Sequence, residues 1–248
     1  MITRCLLLWT LAAATWLLPP SSVQAGTFSV SPLRVELSSQ LQTGALTIRN
    51  QQDAEVTVEA QAMLWEQIDG QDRLTPTRDV LVSPVVFTLS PNGSQLVRVA
   101  LQRPADAQRE LSYRLILTEV PPTAEPGFTG LSVTLRMSLP IFVAATTEAQ
   151  PKLEWAATRV GADRLEITAR NSGGAHTRVL SLSAEPVGHP DAAIAERSAA
   201  YVLPGQAWTW NLDIKPKDGT SGFDWRQVSV KGSTETGDYA TQLGSDIR

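Results

Sequence analysis

The chain has 248 residues, 42 % hydrophobic and 19 % charged, a globular composition that excludes an intrinsically disordered or low-complexity protein. With 21 basic and 25 acidic side chains the formal charge is −4, and a mildly acidic chain lacks the basic face that nucleic-acid binding requires.

Residues 1–25 read as a cleavable export signal. Arg4 gives a positive start, Cys5 to Leu18 is an apolar run, Pro19-Pro20 breaks it, and Val23-Gln24-Ala25 places small residues before the expected cut after Ala25. The run is too short for a bilayer core of about 30 Å, which needs about 20 residues, so no membrane insertion is expected. The single cysteine, Cys5, lies inside this signal. The exported chain is therefore expected to hold together by core packing without a disulfide.

From Phe28 onward the pattern is period-two alternation, the mark of half-buried strands. Phe28 and Val30, then Leu33, Val35 and Leu37, predict a first strand interrupted at Pro32. Ala45 to Asn50 and Val56 to Trp65 follow, joined by an Asn50-Gln51-Gln52-Asp53 turn. Next come Val85 to Leu89, Leu96 to Leu101 and Tyr113 to Val120, with Asn92-Gly93-Ser94 read as a hairpin turn. Leu131 to Val143 has seven apolar residues in register at its odd positions. At about 3.3 Å per residue it would run roughly 40 Å, about twice an ordinary strand. A domain of this size covers only part of such a stripe, and Pro140 suits a sheet edge or bulge. About seven strands over roughly 120 residues is the pattern of an immunoglobulin-like sandwich.

Thr146 to Pro151 is polar and ends in proline, and a second unit begins beyond it with Leu153 to Ala157, Leu165 to Arg170, Arg178 to Ser183, Ala199 to Leu203, Ala207 to Ile214 and Gln227 to Lys231. The expected organisation is all-β: a first domain over 26–146, a linker over 147–151 and a second domain over 152–248. All four lysines, Lys152, Lys215, Lys217 and Lys231, lie at or beyond the linker, so any cationic site of the first domain must be built from arginine.

Chemistry-bearing motifs are absent. The only histidines, His176 and His189, have no cysteine to complete a zinc site, and His189-Pro190-Asp191 reads as a surface turn. There is no nucleophile elbow, phosphate loop or dinucleotide fingerprint, and no close carboxylate pair. Catalytic residues, metal ligands and cofactors are therefore not expected. Trp65, Trp155, Trp208, Trp210 and Trp225 read as core or domain-interface aromatics. Exposed tryptophans would instead favour an exported adhesion or carbohydrate-binding module, and a hydrolase would need a convergent site that is not visible.

Several segments together resemble the periplasmic pilus chaperones of the chaperone-usher pathway. Phe28 to Val35 is similar to that family's first strand with its arginine, and Leu46 to Asn50 to the strand ending in asparagine. Tyr113 to Pro122 is similar to the strand ending in Pro-Pro. The long Leu131 to Val143 strand, the linker, and Ile167 to Gly173 complete the order. The resemblance implies two immunoglobulin-like domains in an L shape, a periplasmic location, and pilus or fimbrial subunits and an outer-membrane usher as partners. Leu131, Val133, Leu135 and Met137 would be donated to a subunit that lacks its final strand, while Leu139, Ile141 and Val143 pack within the chaperone. Arg34 would anchor the subunit's C-terminal carboxylate. The family's second anchor, a lysine, aligns with Pro140 here, and Arg114 or Arg136 is the available substitute, with Arg114 preferred. That departure resembles the archaic, spore-coat-U-like branch. Self-association is the expected mask for the donor face when no subunit is bound.

Overall fold

The computed structural model describes residues 28–121, 133–161, 163–192, 194–196, 199–214 and 224–247. The export signal, Leu131 and Pro122 lie outside them. Pro32 interrupts the first predicted strand by moving the chain between sheets. β1 (Phe28–Ser31) pairs with β3 (Thr43–Asn50), whereas β2 (Val35–Leu37) lies parallel to β10 (Arg136–Val143) in the opposite sheet. One sheet runs β1-β3-β8-β6, with β6 at Val80–Ser83 and β8 at Ser94–Leu101. The other runs β2-β10-β9-β4-β5, with β4 at Val56–Ile68, β5 at Gln71–Pro76 and β9 at Leu111–Val120. β7 (Val86–Leu89) shares the early part of the β4 edge that β5 uses later. Alternate residues from both sheets, among them Ile48, Val58, Val97, Leu115 and Ile141, close a single apolar core.

The second unit has its own core. β11 (Leu153–Val160), β12 (Arg164–Asn171) and β16 (Ala207–Asp213) form one ladder. β13 (Thr177–Pro186), β14 (Ile194–Glu196), β15 (Ala200–Val202) and β17 (Gln227–Thr234) form another. β18 (Gly237–Ile247) joins them, antiparallel to β17 and parallel to β11 at its end. Leu165 and Ile167 from one ladder meet Val179, Val228 and Val230 from the other, with Trp210 and Trp225, in one buried cluster. The chain is thus two immunoglobulin-like sandwiches. Among the described residues no helix is long and apolar enough to cross a membrane.

Four strands, β5, β6, β14 and β18, are additions to the sequence reading. β5 carries only Leu74 as a large apolar residue, β6 is a four-residue strand, and β18 turns Tyr239, Thr241, Leu243 and Ser245 toward the interior, so half of its inward positions are polar. The predicted Leu131–Val143 strand is corrected in the other direction. β10 begins at Arg136, its eight residues run about 26 Å, and Val133 to Leu135 belong to no strand.

The same polar device organises each domain. Asn50 is fully buried; its amide donates to Ala54 O, Leu89 O and Ser90 O while its carbonyl accepts from Gln52 N. In the second domain Asn171 does likewise with Ala175 O, Val202 O, Lys152 N and Gly173 N, which ties the linker to the sandwich. The turn after Asn171 packs so closely on the linker that a Cβ at Gly173 would overlap the Gln150 carbonyl. Replacing Asn50 by alanine strands buried carbonyls and an amide, and is expected to cost roughly 2–4 kcal/mol. Urea unfolding followed by circular dichroism measures this; a midpoint unchanged from wild type would contradict it.

Candidate functional site

β10 is edged unevenly. β9 pairs with it along its whole length, from Arg136 opposite Thr118 to Val143 opposite Leu111, whereas β2 reaches only Ile141 to Val143 on the other edge. Leu135 O accepts from Glu119 N, so by antiparallel alternation the odd residues bond to β9 and the even ones turn their backbone groups away. Ala144 N donates to Leu37 O, which fits the same register on the β2 side. From Arg136 to Leu139 the outer edge is therefore open, presenting two amides, Arg136 N–H and Ser138 N–H, and the carbonyls of Arg136 and Ser138, while the Pro140 carbonyl takes the Val35 amide in the parallel pairing with β2. Pro140 has no amide to lose there, which explains how a proline sits inside a strand.

The side chains of this segment divide by parity. Leu139, Ile141 and Val143 are fully packed in the first-domain core, Leu135 and Met137 are half-buried against it, and Val133 is 75 % exposed. Leu131 is outside the described residues. The even face looks toward the second domain, and there Phe142 joins Trp65 and Leu203 in a separate buried cluster, with Leu74 and Tyr201 against it.

That cluster joins the two domains. The Phe142 ring stacks on His176 at 3.5 Å between centroids, and Trp65 meets Tyr201 edge-on at 5.4 Å. His176 Nδ1 lies 2.6 Å from Glu110 Oε1, both largely buried. Gln67 of β4 crosses to β15 and beyond: its amide donates to Tyr201 O at 2.8 Å, its carbonyl accepts from Leu203 N at 3.0 Å, and its backbone amide donates to the Gln206 side chain. Buried apolar contact and the paired side-chain amide of Gln67 hold this interface.

Three arginines named from the sequence lie on the same sheet face. Arg34, just before β2, pairs with Glu36 at 2.8 Å and reaches Glu235 of the second domain at 3.6 Å, its side chain 41 % exposed. Arg114 is opposite Pro140 in β9 and only 14 % exposed. Its guanidinium lies 3.5 Å over the Trp65 ring, with Asp72 at 3.9 Å, and burial lowers its proton affinity more than Asp72 restores it. Arg136 is exposed at the other end of β10, four residues from Pro140 and so about 13 Å along the strand. The structure thus brings Arg34 and Arg114 to the junction of the domains and sets Arg136 apart on the open edge.

Sequence reasoning missed Gln67, His176, Tyr201 and Arg178, whose guanidinium carbon lies 5.3 Å from the Tyr201 ring centroid, as cleft residues. No motif announces them, because their importance arises only when β4 and β13 are brought together by the second domain. Tryptophan placement was legible: Trp65 fills the domain junction, Trp210 and Trp225 are buried in the second core, and Trp155 and Trp208 pack against it. Among the described residues no group of three metal-ligating side chains gathers. Replacing Gln67 by alanine removes two cross-domain bonds and leaves Leu203 N unpaired. It is expected to split thermal unfolding into two calorimetric transitions and to speed trypsin cleavage after Lys152. A single transition at the wild-type temperature would show that Gln67 does not couple the domains.

Residues 27–146 match the family model for the pili and flagellar-assembly chaperone, PapD N-terminal domain. No curated protein matches the sequence significantly. Among solved structures, the chain is similar to one from the CsuC–CsuE chaperone–tip adhesion subunit pre-assembly complex of archaic Csu pili from Acinetobacter baumannii. The identity is 18 %, coverage is 90 % of this chain and 100 % of that one, and the TM-score is 0.66. A chain of the Salmonella enterica SafA pilin–SafB chaperone complex is 18 % identical, with coverage of 90 % and 98 % and a TM-score of 0.56. The Pseudomonas aeruginosa CupB2 chaperone is 18 % identical over 88 % and 100 %, with a TM-score of 0.54. Residues 27–146 thus carry a pili and flagellar-assembly chaperone domain, and the whole chain has the two-domain fold of these solved chaperones.

Proposed function

We propose that this pilus chaperone works in the periplasm without ATP or enzymatic turnover, capturing pilus subunits by donating β10 and passing them to an outer-membrane usher. The observation that carries the reading is the open edge of β10, flanked on one side by half-buried apolar side chains and at its end by an arginine-bearing cleft. An extended partner strand would add to that edge through the main chain, and alternate side chains would give the pairing its register.

Val133, Leu135 and Met137, together with Leu131, are the donor residues of this reading. Val133 is the one among the described three with nearly all of its surface still to bury, worth about 1–2 kcal/mol on transfer. Leu135 and Met137 already touch their own core and gain less, so the main-chain bonds carry a larger share of capture than four fully exposed donors would imply. No nucleotide-binding motif is present, and binding energy alone would complete the subunit's fold.

Arg34 is the first carboxylate anchor, with Arg114 as its companion at the cleft. In the unloaded chain Arg34 is engaged by Glu36 and Glu235, so an arriving carboxylate must compete with these two. Arg136, on the open edge, faces the incoming strand and not the cleft. The second domain of this chain buries its tryptophans against its own core, which weighs against the sugar-binding alternative.

Purification of the tagged chaperone from its native periplasm is expected to recover a small secreted β protein. Leu135→Asp or Arg34→Ala, both still folded by circular dichroism, should lower that recovery at least tenfold; a partner that survives both substitutions would contradict strand donation. Glu235→Gln removes a competitor for Arg34 and is expected to raise subunit affinity about two- to five-fold, the worth of one exposed ion pair. Titration by surface plasmon resonance tests it, and an unchanged or weakened affinity would show that Glu235 does not occupy the anchor.

A further inference from the structure

We infer that Glu119 is a positioning residue of the donor strand, a carboxylate on the core-facing side of β9 that pins Leu135 and fixes where β10 begins. The inference rests on the reading above that β10 is donated to a partner, and it adds a residue to that site.

Alternation makes Glu119 conspicuous. The β9 side chains that enter the first core are Tyr113, Leu115 and Leu117, all fully buried, and the next position of the same parity is Glu119. It lies opposite Val58, a wholly buried core residue of β4. A carboxylate on a core face is unfavourable unless its oxygens are hydrogen-bonded. Here Leu135 N donates to Glu119 Oε2 at 3.0 Å, and Glu119 N donates to Leu135 O at 2.9 Å. In a regular antiparallel ladder the Leu135 amide would go to the Glu119 main-chain carbonyl. The side chain takes that amide instead, and β10 starts one residue later, with Arg136 opposite Thr118.

β9 cannot carry the pairing further. At the position that would face Val133 stands Pro121, which has no amide to donate. Among the described residues, the last main-chain bond of the ladder is therefore Glu119 N–H to Leu135 O, and a terminal bond frays readily without a second tie. The Glu119 carboxylate supplies that tie, so one residue grips Leu135 at both its amide and its carbonyl. Held in this way, Leu135 keeps its side chain on the core face and the Arg136 and Ser138 amides stay on the open edge, whereas a slip of one residue would reverse both. The same arrangement keeps Val133 out of the chaperone's own sheet, and an inward-pointing charge is a known means of stopping unwanted strand pairing.

The test is amide hydrogen exchange, followed by NMR, on the full exported chain without a partner. Glu119→Met keeps the length of the side chain and removes the acceptor; it is expected to speed exchange at Leu135 about tenfold, the worth of one hydrogen bond, and to leave the Leu139 and Ile141 amides of the same ladder unchanged. Glu119→Gln retains an Oε1 acceptor and should stay close to wild type, which separates the hydrogen bond from packing. If Glu119→Met does not fold, Glu119→Ala carries the same comparison. Unchanged Leu135 exchange in a folded Glu119→Met or Glu119→Ala chain, or equally fast exchange in Glu119→Gln, would overturn the proposal. In the recovery assay above, Glu119→Met should bring down less partner than Glu119→Gln. Recovery that Leu135→Asp abolishes and Glu119→Met leaves untouched would overturn this proposal alone, whereas recovery that neither substitution alters would overturn strand donation itself.

Discussion

A β-strand must place every backbone amide and carbonyl against another strand or in water, and in this protein one strand meets that demand in two different ways along its length. Over its last three residues β10 is sealed between β9 and β2, with its odd side chains in the first core and Phe142 in the domain junction. Over its first four residues the β2 edge is missing. An open strand edge beside half-buried leucine and methionine is a liability in a free protein and a template for a partner. The sealed half fixes the open half in place, so the edge is presented by a rigid core and not by a loop.

The second domain depends on the same strand. Phe142 shares β10 with the open edge and stacks on His176, while Trp65 on β4 carries Arg114 on its face and meets Tyr201. The apolar contact that docks the domains thus also positions the cations. On the proposed reading, a subunit carboxylate held by Arg34 and Arg114 would lie beside the end of the open edge. A partner strand whose terminus was held there would have its register along β10 set by that fixed point, since a slip of one residue turns every side chain to the wrong face.

Much of this was legible before any coordinates. Period-two alternation located most of the strands, Pro32 marked an interruption that the structure shows to be a crossing between sheets, and the Leu131–Val143 stripe pointed to the strand on which the structure turns. What the stripe could not convey is where pairing stops, because alternation reports which face is apolar and not whether a neighbouring strand is present. Hence the stripe is longer than β10 itself. β18 escaped notice because Thr241 and Ser245 fill inward positions where apolar residues would have signalled a strand. Arg34 and Arg114 are named by the family resemblance, in a first domain whose basic residues are all arginine. Arg178, Gln67 and His176 are not, since each lies within an ordinary strand or turn and gains its role from a domain contact that spans more than sixty positions of sequence.

The central claim is that the open edge of β10 is where a captured strand pairs, and amide hydrogen exchange at Arg136 and Ser138 tests it most directly. These are the two amides that the register turns toward the open edge, while Leu139 and Ile141 amides point to β9. The account predicts fast exchange at Arg136 and Ser138 in the chaperone alone and strong protection in the chaperone–subunit complex, with Leu139 and Ile141 protected in both. Fast exchange at Arg136 and Ser138 in a stable complex would contradict it, and would place the subunit on another surface.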